Sequence, residues 1–240
     1  MDEKNSTNDS RLFFQIADRF VEINPDVNEN NETCEEIETG PFLRASVWIV
    51  KFIDMFGIAF KPVKIDIEGN INRLMAIFDS DPSRFRYLSS IVKYEKESIE
   101  KSNLSKTEIP IGTDSLRWLN RALLYNQFFL SYLLEDYNNV HNENDLLDLP
   151  EDLTKHFENA YERSLKKHHG WFVRKIFKCC LLAIPNRIDL LRYLGFLDLV
   201  QLNRMETRNL IRDSLDSYLK QLKSNTEIIS RLLQNHGYEP

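Results

Sequence analysis

The feature that most restricts the possible folds is the helical spacing of apolar residues, which is most persistent between Asp114 and about Tyr137. Apolar side chains recur there every three or four residues, the spacing that lines one side of an α-helix. They are Leu116, Leu119, Leu123, Phe128, Phe129, Tyr132 and Leu133. The sequence contains neither the period-two alternation of a β-strand nor an internal repeat. The chain is therefore predicted to be all-α.

Segments that contain proline and glycine divide the rest of the chain into further predicted helices. Thr39-Gly40-Pro41 and Phe60-Lys61-Pro62 each precede a helix, and Pro110 and Gly112 mark a linker before the long one. The pattern predicts about eight helices in two layers. Their expected positions are 11–23, 42–56, a helix through residue 66, one ending near 102, 114–137, 153–168, 171–183, 188–195 and 206–235.

The charge of the chain is concentrated at its beginning. Residues 1–40 contain eleven acidic and three basic side chains, a net charge of −8, whereas the whole chain of 240 residues has a net charge of −6. The remainder is close to neutral, so a nucleic acid is not an expected partner. Residues 1–36 are predicted to be an acidic N-terminal helix followed by a mobile loop, and residues 37–240 to be the main domain.

Several functional classes find no support in the sequence. The start of the chain shows no secretory signal, and charged residues interrupt every apolar run before 18 residues, so a cytoplasmic location is expected. Three cysteines, two of them adjacent, match neither a disulfide framework nor a zinc site. There is no glycine-rich phosphate loop, and His168 and His169 have no serine or cysteine nucleophile in a recognisable setting. We expect a protein without metal or cofactor that is not an enzyme.

Asp66, Asn70 and Arg73 form a polar stripe on an otherwise apolar predicted helix. Their spacing of i, i+4 and i+7 places an acceptor, an amide and a cation on one face. Such a stripe is either a solvated face or a site that binds a polar group at several points. Gly69 favours the second interpretation, because a glycine inside a helix suggests that another group approaches closely.

Several motifs follow one another in order along the chain. They are Ile37-Glu38-Thr39-Gly40-Pro41-Phe42-Leu43, the segment 60–71 (FKPVKIDIEGNI), the segment 116–123 (LRWLNRAL), Ala160-Tyr161-Glu162, the segment 165–171 (LKKHHGW), Lys175-Ile176-Phe177 and Ala183-Ile184-Pro185. Together they closely resemble the motifs of the glycolipid transfer protein family. The resemblance covers roughly residues 35–240, and it implies a two-layer helical fold that encloses a lipid pocket and shuttles one sphingolipid at a time between membranes.

The resemblance implies a role for each residue of the headgroup site. Asp66 would accept a hydrogen bond from the ceramide amide N–H, and His169 would donate one to the acyl carbonyl. Asn70 and Arg73 would bind sugar hydroxyls, although many family members have lysine where this chain has Arg73. Trp118 would be the platform on which the first sugar ring stacks.

Further residues are implied at the edges of this site. Tyr238 would close the headgroup site, and Trp171, with Tyr161 and Lys175 nearby, would contact the membrane surface transiently. The lipid chains need an apolar space between helices, and ordinary core packing explains its candidates equally well. These candidates are Phe42, Val47, Leu123, Phe128, Val173, Phe177 and Leu181.

Two alternatives to glycolipid transfer remain open. The ceramide-1-phosphate branch of the superfamily has arginine, arginine and lysine where this chain has Trp118, Asp114 and Asn70, so its phosphate site is absent by pattern. A sulfated or otherwise anionic glycolipid could still use an arginine. The candidates are Arg73, Arg117 and Arg121. The second alternative is a sphingolipid sensor that acts through a protein partner. We expect a monomer in either case.

Overall fold

The computed structural model describes residues 13, 20, 26–27, 33–102, 108–144, 148–197 and 203–240. It contains eight α-helices within these residues, in agreement with the all-α prediction. They are α1 (Thr39–Asp54), α2 (Lys61–Ser80), α3 (Leu88–Ser102), α4 (Ile111–Asn138), α5 (Thr154–Arg163), α6 (Trp171–Leu181), α7 (Arg187–Tyr193) and α8 (Arg204–Asn235). Short 3₁₀ turns cover Ile58–Phe60 and Lys166–His168. Most of the predicted helix 11–23 lies outside the described residues.

The predicted loop at 26–36 contains a short pair of strands. β1 (Asp26–Val27) pairs with β2 (Thr33–Cys34) in an antiparallel arrangement. Strands of two residues are too short to produce a detectable alternation of apolar and polar residues. This is why the sequence pattern predicted only a loop.

The starts of the helices follow the local signals in the sequence. α2 has Pro62 in its first turn, where the missing backbone N–H needs no helical partner. α8 begins with a capping box, in which Asn203 and Glu206 each accept a hydrogen bond from the other's backbone N–H. The long helix predicted over 114–137 extends from 111 to 138.

The helix α4 is the centre of the packing. It contacts α2, α3, α5 and α8, and α1 packs on α2. Its buried residues occupy more than one face, as expected for a helix with neighbours on several sides. The arrangement brings α2, α4, α5 and α6 around one cavity, which is described below.

Glu95 on α3 holds the N-terminus of α4. One carboxylate oxygen of Glu95 accepts a hydrogen bond from the backbone N–H of Gly112 at 2.8 Å. The other accepts from the backbone N–H and the hydroxyl of Thr113, each at 2.7 Å. An acidic side chain at this position satisfies N–H groups without helical partners and complements the helix dipole. Gly112 permits the close approach, because any side chain would fill the same space.

Substituting Gly112 with alanine is expected to destabilise the protein by about 1–3 kcal/mol, because the added methyl group overpacks this junction. A Cβ atom there would lie 2.7 Å from Cδ1 of Ile77 and 2.8 Å from Oε1 of Glu95. Urea unfolding of both proteins measures the change. Gly69→Ala is the matched control, since its Cβ would meet Arg73 at an ordinary 3.4 Å. The Gly69→Ala protein should be more stable than wild type by up to about 1 kcal/mol, because alanine is more favourable than glycine inside a helix. Equal effects at both positions would contradict the account.

Candidate functional site

A cavity of about 470 Å³ lies between helices α2, α4, α5 and α6. This volume is in the usual range for small-molecule sites, and most of the wall is apolar. The wall is formed by Ile53, Phe60, Pro62, Val63, Asp66, Ile67, Trp118, Ala122, Tyr125, Asn126, Tyr161, Leu165, His168, His169, Gly170, Val173, Ile176 and Phe177. Asp66, Trp118 and His169, which the sequence assigned to one site, therefore share this cavity.

Asp66 is the acidic residue of the cavity wall. Burial raises the pKa of its carboxyl above the ordinary value; Asp114 adds to the rise and Arg73 opposes it. No hydrogen bond from the described residues reaches this carboxylate, so its oxygens are available as acceptors. An acceptor held beside an apolar cavity can select a ligand that brings an N–H or O–H group.

Asn70 and Arg73 are bound to each other and to neighbouring groups. Asn70 donates to the backbone oxygen of Asp66 at 3.0 Å, and its Oδ1 accepts from Nη2 of Arg73 at 2.5 Å. Nε of Arg73 donates to Oγ of Ser115 at 2.8 Å, which links α2 to α4. Asn70 is only 2% exposed, so it positions Arg73 while the guanidinium remains at the surface. The nearest group to Gly69 is the Arg73 guanidinium, at a distance that an alanine would also tolerate, so no described residue approaches closely enough to require the glycine.

Trp118 has a cation and an imidazole against its ring. The guanidinium carbon of Arg121 lies 4.7 Å from the ring centroid, within cation–π range. The His169 ring is 5.8 Å away by centroids and inclined by only 22°. Burial, with the nearby charge of Arg117, lowers the pKa of Arg121 to about 10. The indole is half-buried and held in a defined orientation beside the cavity.

His169 is a neutral imidazole at pH 7. Burial lowers its pKa, and the charges of Arg121 and Arg174 lower it further. Its Nδ1 lies 3.1 Å from the hydroxyl of Tyr161. When that hydroxyl donates to Nδ1, the proton of the ring is on Nε2, which can then donate to a ligand carbonyl. The neighbouring His168 has a pKa lowered to about 4, chiefly by burial.

Tyr161 lies inside the cavity wall, whereas the sequence assigned it to a membrane contact. It is 5% exposed, and its ring stacks on Phe177 with centroids 3.6 Å apart and an angle of 9°. The covering helix α6 removes it from the surface. Its hydroxyl therefore acts on His169 and not on an external surface.

The C-terminal segment reaches the site through Glu239. Its backbone oxygen accepts from Arg121 at 3.3 Å, and its carboxylate pairs with Lys167 at 3.1 Å. Tyr238, the residue assigned by sequence, is half-buried and does not line the cavity. Burial and the charge of Glu95 raise its pKa, which places it on the side of α3. No sequence signal identifies Glu239, because its contacts are made only in the folded protein.

The apolar candidates divide between the cavity, the general core and the surface, where Val47 is exposed and its predicted place in the lipid space is wrong. Val173 and Phe177 line the cavity. Phe42 and Leu123 are fully buried in the hydrophobic core and do not line it. Periodicity alone does not separate these two environments, because both require an inward-facing apolar side chain.

Exposed apolar residues adjoin the cavity wall: Ile58 and Ile65 line a neighbouring depression with Pro62, and Trp171 and Phe172 lie between Gly170 and Val173 in the chain. We define the apolar rim as Ile58 (88% exposed), Ile65 (56%), Trp171 (70%) and Phe172 (67%). Nζ of Lys175 lies 3.9 Å from the centroid of the Trp171 ring. Large exposed apolar side chains in a group are typical of a surface that binds a partner or a membrane. No helix within the described ranges is long and apolar enough to cross a bilayer.

The residues that the structure describes contain no group of three or more His, Cys, Asp or Glu side chains suited to a metal ion. The residues that line the cavity offer hydrogen bonding by Asp66 and His169, stacking on Trp118, and contact with apolar side chains.

Comparison with known proteins identifies relatives of this arrangement. Residues 37–196 match the family model described as glycolipid transfer protein. A glycolipid transfer protein of Danio rerio is 40% identical over 164 residues, which cover 67% of this chain and 72% of the relative.

Solved structures share the fold. The GLTP-fold structure of FAPP2, solved to explain how that protein selects simple glycosphingolipids, covers 96% of this chain and 98% of its own with a TM-score of 0.75 at 24% identity. The mouse ceramide-1-phosphate transfer protein in its apo form covers 84% of this chain and 89% of its own, with a TM-score of 0.66 at 21% identity. At these identities the two structures show the shared fold alone.

Proposed function

The chain belongs to the glycolipid transfer protein family, whose members are lipid transfer proteins and not enzymes, and from this premise we propose that it carries sphingoid-based glycolipids such as glucosyl- or galactosylceramide between membranes. One observation carries the proposal: Asp66, Trp118 and His169 converge on one largely apolar cavity. An acceptor, an aromatic face and a donor are the groups that the amide and sugar of a glycolipid require.

Recognition of the ceramide amide uses both of its polar atoms. The carboxylate of Asp66 accepts from the amide N–H, and Nε2 of His169 donates to the acyl carbonyl. Tyr161 sets the orientation and tautomer of His169. A diacylglycerol lipid has no amide N–H, so it would leave the Asp66 carboxylate without a donor.

Recognition of the sugar uses the ring of Trp118 and the guanidinium of Arg73. A sugar ring has apolar C–H faces that stack on Trp118 and hydroxyl edges that hydrogen-bond. Arg73, which Asn70 and Ser115 hold in place, supplies directional donors to those hydroxyls. The hydrocarbon chains enter the apolar part of the cavity, where about 0.8 kcal/mol per CH₂ opposes their return to water. Because the membrane offers a similar gain, transfer needs no energy source.

An anionic lipid such as ceramide-1-phosphate is the second candidate, and the contacts of Arg117 and Arg121 support the neutral headgroup instead. Asp114 pairs with Arg117 at 2.6 Å, and the carbonyl of Glu239 accepts from Arg121. Arg73 donates to Asn70 and Ser115. Of these cations Arg117 is neutralised by Asp114, the guanidinium of Arg121 packs on the Trp118 ring, and Asp114 would repel a phosphate. These contacts favour a neutral headgroup.

The wider assignments follow from the same proposal. Residues 37–240 are the proposed carrier domain, since α8 packs along α4, and Phe13 and Phe20 of the acidic segment 1–36 are buried in its core. The protein acts as a cytoplasmic monomer that needs neither cofactor nor nucleic acid and that touches membranes transiently.

Native mass spectrometry tests the binding step. The full chain is incubated with vesicles that contain equal amounts of galactosylceramide, ceramide-1-phosphate and phosphatidylcholine. The expected product is a one-to-one complex with galactosylceramide. A complex formed mainly with ceramide-1-phosphate would contradict the assignment of the headgroup. Unchanged lipid mass in the complex distinguishes a carrier from an enzyme that modifies the lipid.

The apolar rim is proposed to be the membrane contact, with Lys175 beside it at the headgroup level. Replacing Trp171 and Phe172 together by alanine is expected to reduce vesicle adsorption and transfer about tenfold, since two exposed aromatic rings no longer insert. Vesicle co-sedimentation and transfer rates measure the effect. Ile111→Ala, at an equally exposed residue (67%) outside the rim, is the control and should change neither value. Equal losses in both proteins would contradict the assignment.

A further inference from the structure

Two polar side chains lie unpaired in the apolar part of the cavity wall. Tyr125 and Asn126, adjacent on α4, both line the cavity and are 7% and 1% exposed. The hydroxyl of Tyr125 and both amide atoms of Asn126 have no hydrogen-bond partner in the part of the chain that the structure describes. Buried polar groups in native proteins are nearly always paired, so three unpaired atoms in one cavity wall require an explanation.

The surroundings of these residues do not supply the missing partners. Tyr125 makes edge contacts with the rings of Phe157 and Phe177, each with centroids 6.3 Å away. The thiol of Cys180 donates to the backbone oxygen of Ala59 at 3.3 Å, so its hydrogen is already used. Burial raises the pKa of Tyr125 well above its ordinary value, which keeps the hydroxyl protonated and able to donate.

Tyr125 and Asn126 lie further along α4 than Trp118, deeper in the cavity than the headgroup residues. Trp118, Ala122 and Asn126 follow one another at intervals of four residues and line the same cavity. Asn126 is eight residues after Trp118, or about 12 Å along the helix axis. The pair therefore faces the region that the proposed function assigns to the hydrocarbon part of the lipid.

We propose that Tyr125 and Asn126 form a polar subsite that hydrogen-bonds a hydroxyl group on the ceramide portion of the glycolipid, as in a 2-hydroxyacyl chain or a 4-hydroxylated sphingoid base. This inference rests on the proposed function, because it names the substrate class of the same cavity. A hydroxyl both donates and accepts a hydrogen bond. In the amide of Asn126, Oδ1 can accept from the hydroxyl and Nδ2 can donate to its oxygen. A plain hydrocarbon chain supplies no hydrogen bond to these atoms, so the site favours a hydroxylated chain over it.

Competition binding with four synthetic glucosylceramides tests the subsite. They carry palmitoyl or 2-hydroxypalmitoyl chains on either sphinganine or 4-hydroxysphinganine, and the full chain is titrated with pairs of them and read by native mass spectrometry. The wild-type protein is expected to prefer at least one hydroxylated lipid about tenfold. Asn126→Leu should bind the plain lipid more tightly and lose most of this preference, and Tyr125→Phe should lose part of it.

Tyr137→Phe is the matched control. It removes a buried hydroxyl from the same helix outside the cavity, so the preference should remain. Thermal unfolding verifies that every variant is folded; Asn126→Leu should be at least as stable as wild type, since it removes unpaired buried atoms.

Two results would overturn the inference: equal wild-type affinity for plain and hydroxylated lipids, or a preference that persists in both cavity variants. Either would leave the proposed function intact, because the plain glucosylceramide would still bind. Failure of the wild-type protein to bind any of the four lipids would instead overturn the proposed function, and the inference with it.

Discussion

Replacing Asp66 by valine is expected to reduce glucosylceramide transfer between vesicles by about 10- to 100-fold, because a hydrogen bond to a charged group contributes about 1.5–3 kcal/mol. The carboxylate has no partner within the described residues, so the lipid amide is its proposed donor. The initial rate of transfer at neutral pH measures the change. An unchanged transfer rate in Asp66→Val would mean that the carboxylate only faces solvent. That result would contradict the proposed role of Asp66.

Two controls separate binding from folding in this experiment. The folded-state pKa of Asp66 is raised by burial, so the ionised carboxylate reduces the stability of the native state once the pH exceeds that pKa. Asp66→Val and Asp66→Asn should therefore melt at or above the wild-type temperature at neutral pH. A lower melting temperature would assign the lost transfer to unfolding.

The direction in which lipid binding should change with pH follows from the raised pKa of Asp66. As the pH falls through the raised pKa of Asp66, its carboxylate is protonated and the acceptor is weakened. Glucosylceramide binding by the wild-type protein should then decrease with a midpoint above the ordinary value of 3.8. Burial lowers the pKa of His169, so its protonation is shifted to more acidic pH, and the Asp66→Asn protein shows that step by itself. Asp66→Asn should lack the Asp66 step.

Replacing Trp118 by alanine is expected to lower glycolipid transfer at least tenfold, since a stacking aromatic face contributes about 0.5–1.5 kcal/mol beyond the area that it buries. The substitution also removes the surface against which Arg121 and His169 pack, at 4.7 and 5.8 Å from the indole centroid. Both effects weaken the headgroup site without altering the apolar cavity below it.

Trp118→Phe is the graded control for this substitution. It keeps an aromatic face of smaller area, so transfer should fall between the wild-type and alanine values. Binding of ceramide, which has no sugar, should be much less affected than binding of glucosylceramide in both variants. Equal losses for the two lipids would show that Trp118 supports the fold and does not stack on the sugar.

The helical architecture could be predicted closely because its signals are local. Proline in the first turn of α2 and the apolar spacing along α4 act over a few residues, and the observed bounds differ from the predicted ones by a few residues at most helix ends. The short strands at 26–27 and 33–34 were missed because two residues carry no periodicity. Pro82, which follows Asp81 as at a helix start, lies in a turn instead, and α3 begins only at Leu88.

The candidate site could be predicted only in part. The motifs identified Asp66, Trp118 and His169, which share the cavity. The roles of other residues depend on which helix covers them. Tyr161 becomes buried only when α6 packs over it, and Glu239 reaches Arg121 only through the folded C-terminus. A sequence pattern does not encode these long-range contacts.

The same limit explains why the polar pair in the cavity wall was not anticipated. Tyr125 and Asn126 occupy a helix in which most neighbours are apolar, and both positions are compatible with an outward-facing side chain. Only the folded structure shows that they face inward: Tyr125 contacts the rings of Phe157 and Phe177, and Asn126 is buried in the cavity wall. Unpaired hydrogen-bonding atoms are a property of three-dimensional structure.

The most direct test of the account is vesicle-to-vesicle transfer of fluorescent galactosylceramide, measured beside equally labelled ceramide-1-phosphate and phosphatidylcholine. Headgroup recognition by Asp66, Trp118 and His169 predicts rapid transfer of galactosylceramide and little transfer of the other two lipids. Tight binding with very slow transfer would instead indicate a sensor that acts through a protein partner. Rapid transfer of ceramide-1-phosphate, or transfer of none of the three lipids, would contradict the assignment of this chain as a glycolipid carrier.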